Sequence, residues 1–344
     1  MEPRILTTGI GSVPFLDHET TCQRILETFP HMPFWPQMVR LNPKERMLNQ
    51  FLEGLDFLQL DQNGDLKVVN KQERESALAK FYQNVISEEL TYFAISRESA
   101  IGLYELVRLL INKSPKSSNG FIKGQIVGPF TMGISAKDDN GVSAVNDTEI
   151  FEAILVAIEK KILWQIDFLS KTLRKVVIFL DEPSLSGYGS AFSTIDANNL
   201  LSSLTQLISN IKQKRDVLIG IHCCGNTDWG LLLRTGIDII SLDSYGFSEH
   251  FFLYSKEIKD FIEKGGIIAW GLIPTSDDIN KVDENTLEHA IVNYSTYFEK
   301  LGFDSKYFWE KSIFTPSCGM GSLNDKQANR IFDFMKALQK LLYR

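Results

Sequence analysis

The sequence predicts an α/β protein, a single (β/α)8 TIM barrel spanning residues 1–344, and three observations carry that prediction. Eight short apolar runs recur along the chain, most of them separated by amphipathic stretches. Residues able to do chemistry close several of these runs at their C-terminal ends. The length suits one barrel-sized core. A doubly wound open sheet is the main alternative, and two smaller domains would also fit the length.

The strands are expected at ILTTGIGS (5–12), TYFAIS (91–96), FIKGQIVGP (121–129) and VVIFLDEP (176–183). VLIGIHCC (217–224), GIDIISLD (236–243), GGIIAWGLIP (265–274) and SIFTPSCG (312–319) complete the eight. NNLLSSLTQLISNIKQK and EHFFLYSKEIKDFIEKG place apolar residues three and four apart, the helical period. DTEIFEAILVAIEKKILWQIDFLSKTL is long enough for one helix or two. The first connection is too long for a single helix. Its LDFLQLDQNGDLKVV predicts a hairpin turning at Asn63-Gly64. Residues 13–90 are therefore expected to form an inserted cap over the barrel mouth.

Composition narrows the function classes. Hydrophobic residues make up 44% of the chain and charged residues 23%, with a net charge of -7 and no basic block. Nucleic acid is not an expected partner. No apolar run reaches membrane-span length and the N-terminus has no signal-peptide core, so no membrane association is expected. Four cysteines, two of them adjacent, do not make a disulfide framework for a chain this size. A reducing cytoplasm is the simplest setting.

The polar strand ends converge. Ser12, Asp181, His222 with Cys224, Asp243 and Cys318 each close an apolar run, and a barrel gathers such ends on its catalytic face. Side chains alternate along a strand, so His222 and Cys224 share a face while Cys223 points away. One His and two Cys make three ligands of the kind zinc takes when a fourth position stays open for substrate. Spacing alone leaves the alternative open that these cysteines are small buried hydrophobes. Taken singly, Ser12 and Asp243 also suit turns and helix caps. Gly220, two residues before His222, would leave room beneath the site. Sulfur-rich zinc is a weak activator of water but holds a reactive thiolate well, which favours alkyl transfer to sulfur over hydrolysis.

Six segments then occur in a familiar order: TTGIGSVP, VGPFTMG, FLDEPSL, IHCCGN, SLDSYG and TPSCGMGS. With them the chain resembles the catalytic domain of cobalamin-independent methionine synthase, within the superfamily of uroporphyrinogen decarboxylase and corrinoid:thiol methyltransferases. PFWPQM, LDEPSLSGYGS and HCCGNTDW resemble shorter methionine-synthase-like proteins that lack the duplicated N-terminal barrel. The resemblance implies zinc held by His222, Cys224 and Cys318, with Asp243 where the family has an exchangeable Glu ligand. It implies a homocysteine moiety held near Ser12 and Asp181, with Glu98 matching a further substrate-binding Glu. Asp181 and Asp243 are the expected catalytic carboxylates.

Two departures bear on the methyl donor. The family handles its folate with a histidine where this chain has AWGLIP, with Trp270 and no histidine, and the folate-holding N-terminal barrel has no counterpart here. The expected donor is therefore a methylated corrinoid protein, and the expected acceptor is homocysteine. Another thiol, such as coenzyme M or a methylthiol, is the alternative acceptor, and a uroporphyrinogen-decarboxylase-like activity a more distant one. Phe34, Trp35 and Trp270 are either core aromatics or a face for the corrinoid.

Overall fold

A computed structural model of the chain describes residues 6–112, 120–188 and 195–341. Its strands are β1 (Leu6–Thr7), β2 (Leu58–Leu60), β3 (Leu66–Val68), β4 (Phe121–Val127) and β5 (Lys175–Asp181). They continue with β6 (Leu218–Cys223), β7 (Ile239–Leu242), β8 (Ile267–Ile273) and β9 (Ser312–Pro316). Seven of them form one parallel sheet in the order β1-β9-β8-β7-β6-β5-β4. The sheet is curled. Val177 and Phe179 of β5, Ile239 of β7, Ala269 of β8 and Ile313 of β9 pack into one cluster.

The expected closed ring of eight strands is not what forms. TYFAIS is not a strand: Leu90–Phe93 make a 3-10 turn. Ser96 is then held through its N–H (2.8 Å) and hydroxyl (2.6 Å) by the Glu53 carboxylate. The aromatics that suggested a strand pack edge-on within the inserted region, Phe93 against Phe81 at 5.9 Å. β-propensity measures how well a side chain packs on a half-buried surface, and here other aromatics supply that surface. The place between β1 and β4 is spanned instead by extended chain from the inserted region. Phe34 bridges Lys123 and Gln37 bridges Ser12, both in parallel sense. The Gln37 N–H donates to the Gly11 carbonyl and the Val13 N–H to the Gln37 carbonyl, each at 3.0 Å. On the other side the Phe121 and Lys123 N–H groups donate to the His31 and Pro33 carbonyls, both at 2.8 Å.

The remaining elements follow local chemistry. β2 and β3 form the hairpin around Asn63-Gly64. Gly64 takes φ +83, and the Asp61 carboxylate accepts the Asn63 and Asp65 N–H groups. Only glycine takes that left-handed backbone without a steric penalty. The long amphipathic stretch is one helix, Thr148–Leu169, begun by Asp147 accepting from the Ile150 N–H. The stretch after β7 is two helices, Ser244–Phe252 and Ser255–Glu263. Among the described residues no helix is long and apolar enough to cross a membrane.

Phe34, Trp35 and Trp270 are all fully buried, which excludes them as an exposed face for a corrinoid. The Trp270 ring stacks on Tyr294 at 4.5 Å, and its N–H donates to the Ser312 hydroxyl at 3.0 Å. Trp270→Ala is expected to cost about 3–5 kcal/mol, the usual range for emptying a buried aromatic site. Urea unfolding checks this; a cost under about 1 kcal/mol would mean that the ring is not core.

Candidate metal centre

His222, Cys224 and Cys318 come together as expected from their strand ends. Their candidate ligand atoms all lie within 4.8 Å of one another. His222 is the penultimate residue of β6, and Cys224 follows one residue beyond the strand. Cys318 lies two residues past β9. Cys223 faces elsewhere: its sulfur lies 3.7 Å from the Ser186 hydroxyl and 3.5 Å from the Gly225 carbonyl.

The imidazole is held from behind. His222 Nδ1 lies 3.0 Å from Ser241 Oγ, and the two residues are register partners across β6 and β7. His222 is buried, and its Nε2 has no well-aligned hydrogen-bond partner. An orphaned buried nitrogen is costly unless something else takes its lone pair. The Cys224 thiol is pulled down to about 4, first by its hydrogen bond with Cys318 and then by His222. Cys318 is pushed up by the same shared proton and by burial. Together they present two sulfurs sharing one proton and an imidazole nitrogen without an aligned partner. That donor set fits zinc.

The cluster opens onto a cavity of about 330 Å³ that Ser12 and Asp181 also line. Ser12 Oγ accepts the Gly321 N–H at 3.2 Å, and a Cβ on Gly319 would lie 2.2 Å from that oxygen. The close approach explains the two glycines in TPSCGMGS. Asp181 is buried, and its Oδ1 has no hydrogen-bond partner. Burial raises its carboxyl to about 6, against the pull of Lys123 and His222. Lys123 is fully buried, donates to the Ile10 carbonyl at 2.5 Å, and lies 4.5 Å over the Phe179 ring. Burial lowers its ammonium to about 7, opposed by Asp181.

Glu98 stands elsewhere: it pairs with Lys44 at 2.8 Å on the surface, its side chain 66% exposed, and it does not line the cavity. Asp243 caps the helix Ser244–Phe252 by accepting the Gly246 N–H at 2.9 Å. It is not one of the three clustered residues but lies near enough to feel the charges of His222 and Cys224, and burial raises its carboxyl to about 6. Glu182, beside Asp181, turns from the cavity and accepts the Phe130 and Thr131 N–H groups at 3.0 and 2.7 Å. The space beside Gly220 is filled: a Cβ there would meet the Phe179 ring at 2.7 Å.

Sequence patterns alone did not point to Gln37, Arg46 and Met47, which line the cavity from the inserted segment, nor to Ser241 behind the imidazole. Only Ser241 had a usable signal, since it shares a strand face with Asp243 two residues on. Ser241→Ala is expected to weaken zinc binding by about 10–100-fold, the usual cost of losing the group that orients a ligating histidine. Competition with a chromophoric chelator measures this, and unchanged affinity would remove Ser241 from the site.

No protein-family model matches the chain, and no curated protein matches it by sequence. Among solved structures it is similar to a B12-independent methionine synthase from Shewanella sp. W3-18-1, in complex with selenomethionine. That match has a TM-score of 0.59 and 14% identity, and covers 98% of each chain. Two others align at a TM-score of 0.48. One is the YdhT protein from Bacillus subtilis, at 11% identity over 98% of this chain and 85% of that one. The other is a GH20 catalytic module of the pneumococcal exo-beta-D-N-acetylglucosaminidase StrH, at 13% identity over 99% and 84%. At such identity the likeness to the Shewanella enzyme is one of fold, over nearly the whole length of both chains.

Proposed function

We propose that this chain is a zinc-dependent methyltransferase that methylates a thiol, with homocysteine as acceptor and a methyl-corrinoid as donor. The observation that carries it is the His222, Cys224 and Cys318 cluster at converging strand ends, open on one side to a cavity. The end-to-end fold likeness to a methionine synthase supports the same reading. So does the cavity's size, which suits an amino-acid thiol as acceptor.

Bound through these three residues, zinc would act as a Lewis acid that favours the thiolate form of the incoming substrate thiol. The chain's own residues set the stage for that. With Nε2 given to the metal, His222 keeps its proton on Nδ1 and donates it to Ser241 Oγ, which fixes the ring. Asp181 Oδ1 offers an unpaired acceptor to a substrate ammonium. The Ser12 hydroxyl accepts from Gly321 and keeps its own proton to give to the substrate. Asp243, engaged as a helix cap, would have to leave Gly246 to act as an exchangeable ligand.

The direct test is turnover. Zinc-loaded protein is supplied with homocysteine and either methylcobalamin or methyltetrahydrofolate, and methionine is measured. Coenzyme M in place of homocysteine separates the two acceptor readings. No methyl transfer to any thiol from either donor would sink the proposal.

A further inference from the structure

Three basic residues lie close together in the sequence of the inserted segment, and two of them are already engaged. Arg40 donates to the Leu323 carbonyl at 2.5 Å and lies 3.6 Å from Asp325. Lys44 pairs with Glu98 at 2.8 Å. Arg46 is the third. Its guanidinium has no hydrogen bond, ion pair or ring contact among the described residues, and it lines the same cavity as His222, Cys224 and Cys318.

An unpaired guanidinium over a cavity is half of a recognition site, and Asp181 supplies the other half. Asp181 is buried, lines the cavity, and leaves Oδ1 without a partner. The cavity therefore presents a free cationic fork, an unsatisfied buried carboxylate and a cluster of soft ligands. We infer that Arg46 is the specificity-determining residue for the acceptor, binding the carboxylate of a zwitterionic amino-acid thiol whose ammonium meets Asp181 and whose sulfur meets the His222–Cys224–Cys318 cluster. The assignment rests on the homocysteine-acceptor function proposed above and adds the residue that holds the substrate carboxylate.

The chemistry sorts the candidate thiols. A planar guanidinium takes a carboxylate through two parallel hydrogen bonds. A thiol without a carboxylate leaves Arg46 in water, at no cost to itself. An anionic thiol without an amine satisfies Arg46 but leaves Asp181 buried and unpaired, which is costly. Only a thiol carrying both groups answers the whole cavity.

The test measures binding rather than turnover. In cobalt(II)-substituted protein, a thiolate joining the metal adds a sulfur-to-metal charge-transfer band that can be titrated. Three probes are compared: homocysteine, 3-amino-1-propanethiol, which lacks the carboxylate, and 2-mercaptoethanesulfonate, which lacks the amine. Homocysteine should bind on the order of 10–100-fold more tightly than either, the range for a charge-assisted contact that becomes desolvated. Arg46→Met should abolish its advantage over 3-amino-1-propanethiol and leave the affinity of the latter unchanged. Arg46→Lys should keep part of the advantage. Arg46 is exposed, so neither substitution threatens the fold. Unchanged homocysteine affinity in Arg46→Met, or equal loss for both amines, would overturn the assignment. Equal binding of 2-mercaptoethanesulfonate and homocysteine would overturn the zwitterion requirement. If no thiol perturbs the spectrum of the unaltered protein, the thiol-acceptor function itself fails and takes the Arg46 assignment with it.

Discussion

Replacing Cys224 by Ser, or His222 by Ala, is expected to strip the protein of zinc and abolish methyl transfer. Three protein ligands are the minimum that holds catalytic zinc, and each contributes a primary bond. The cost should exceed the ~10–100-fold typical of changes behind the ligands, so activity should fall by more than ~100-fold. A serine hydroxyl is no substitute, because the site depends on a group that is ionised at neutral pH. Cys224 does so, its thiol lowered to about 4 by its hydrogen bond with Cys318 and by His222. Cys223→Ser is the internal control. Its sulfur is buried against Ser186 and Gly225, and burial raises its thiol to about 11. Elemental analysis after dialysis against a chelator should find about one zinc per chain in the unaltered protein and in Cys223→Ser. Zinc kept by Cys224→Ser but lost by Cys223→Ser would mean that the wrong face of β6 has been assigned.

The second large effect concerns the donor. Methyl transfer from a tertiary amine such as methyltetrahydrofolate needs a proton for a poor leaving group, and a positioned acid contributes about 10²–10⁴-fold. Departing cob(I)alamin needs no such acid. In the middle of β8, Trp270 lies in the segment that the resemblance matches to a folate-handling histidine segment. It is buried in an aromatic stack with its N–H given to Ser312. Among the described residues, the one imidazole lining the cavity is His222, assigned here to zinc. Methylcobalamin or a methylated corrinoid protein should therefore support methionine formation at least ~100-fold faster than methyltetrahydrofolate. Comparable rates from methyltetrahydrofolate in corrinoid-free assays would return the chain to a folate-type mechanism.

Much of the site was legible because strand periodicity is a strong local signal. Alternation separated Cys224 from Cys223, and apolar runs ending in His222 and Cys318 announced strand ends that the fold draws together. Segment 91–96 misled for the opposite reason. An aromatic, β-branched composition says that a side chain will be buried, and Phe93 is buried, but not in a sheet. Glu98 was placed by alignment alone, and neither burial nor a neighbouring motif constrained it; it sits on the surface beside Lys44. Residues from the inserted segment were illegible in principle. Nothing local in HMPFWPQM says that its backbone will lie along β4, or that Gln37, Arg46 and Met47 will reach a cavity whose floor is encoded far down the chain. The Trp35 indole N–H shows how such placement is set. It donates to Gln165 at 2.9 Å, on a helix 130 residues away.

The extended run from His31 to Gln37 has a consequence for how this protein could be shortened or rebuilt. The insertion that lines the cavity through Gln37, Arg46 and Met47 also supplies the missing stave of the wall, held to β4 on one flank and to the chain after β1 on the other. Lining and wall are one continuous thread. A deletion meant to open the pocket would leave a slot along the sheet's whole open edge, with the N–H groups of Phe121 and Lys123 stripped of their acceptors. Grafting this segment onto another scaffold would likewise demand a sheet already lacking one strand.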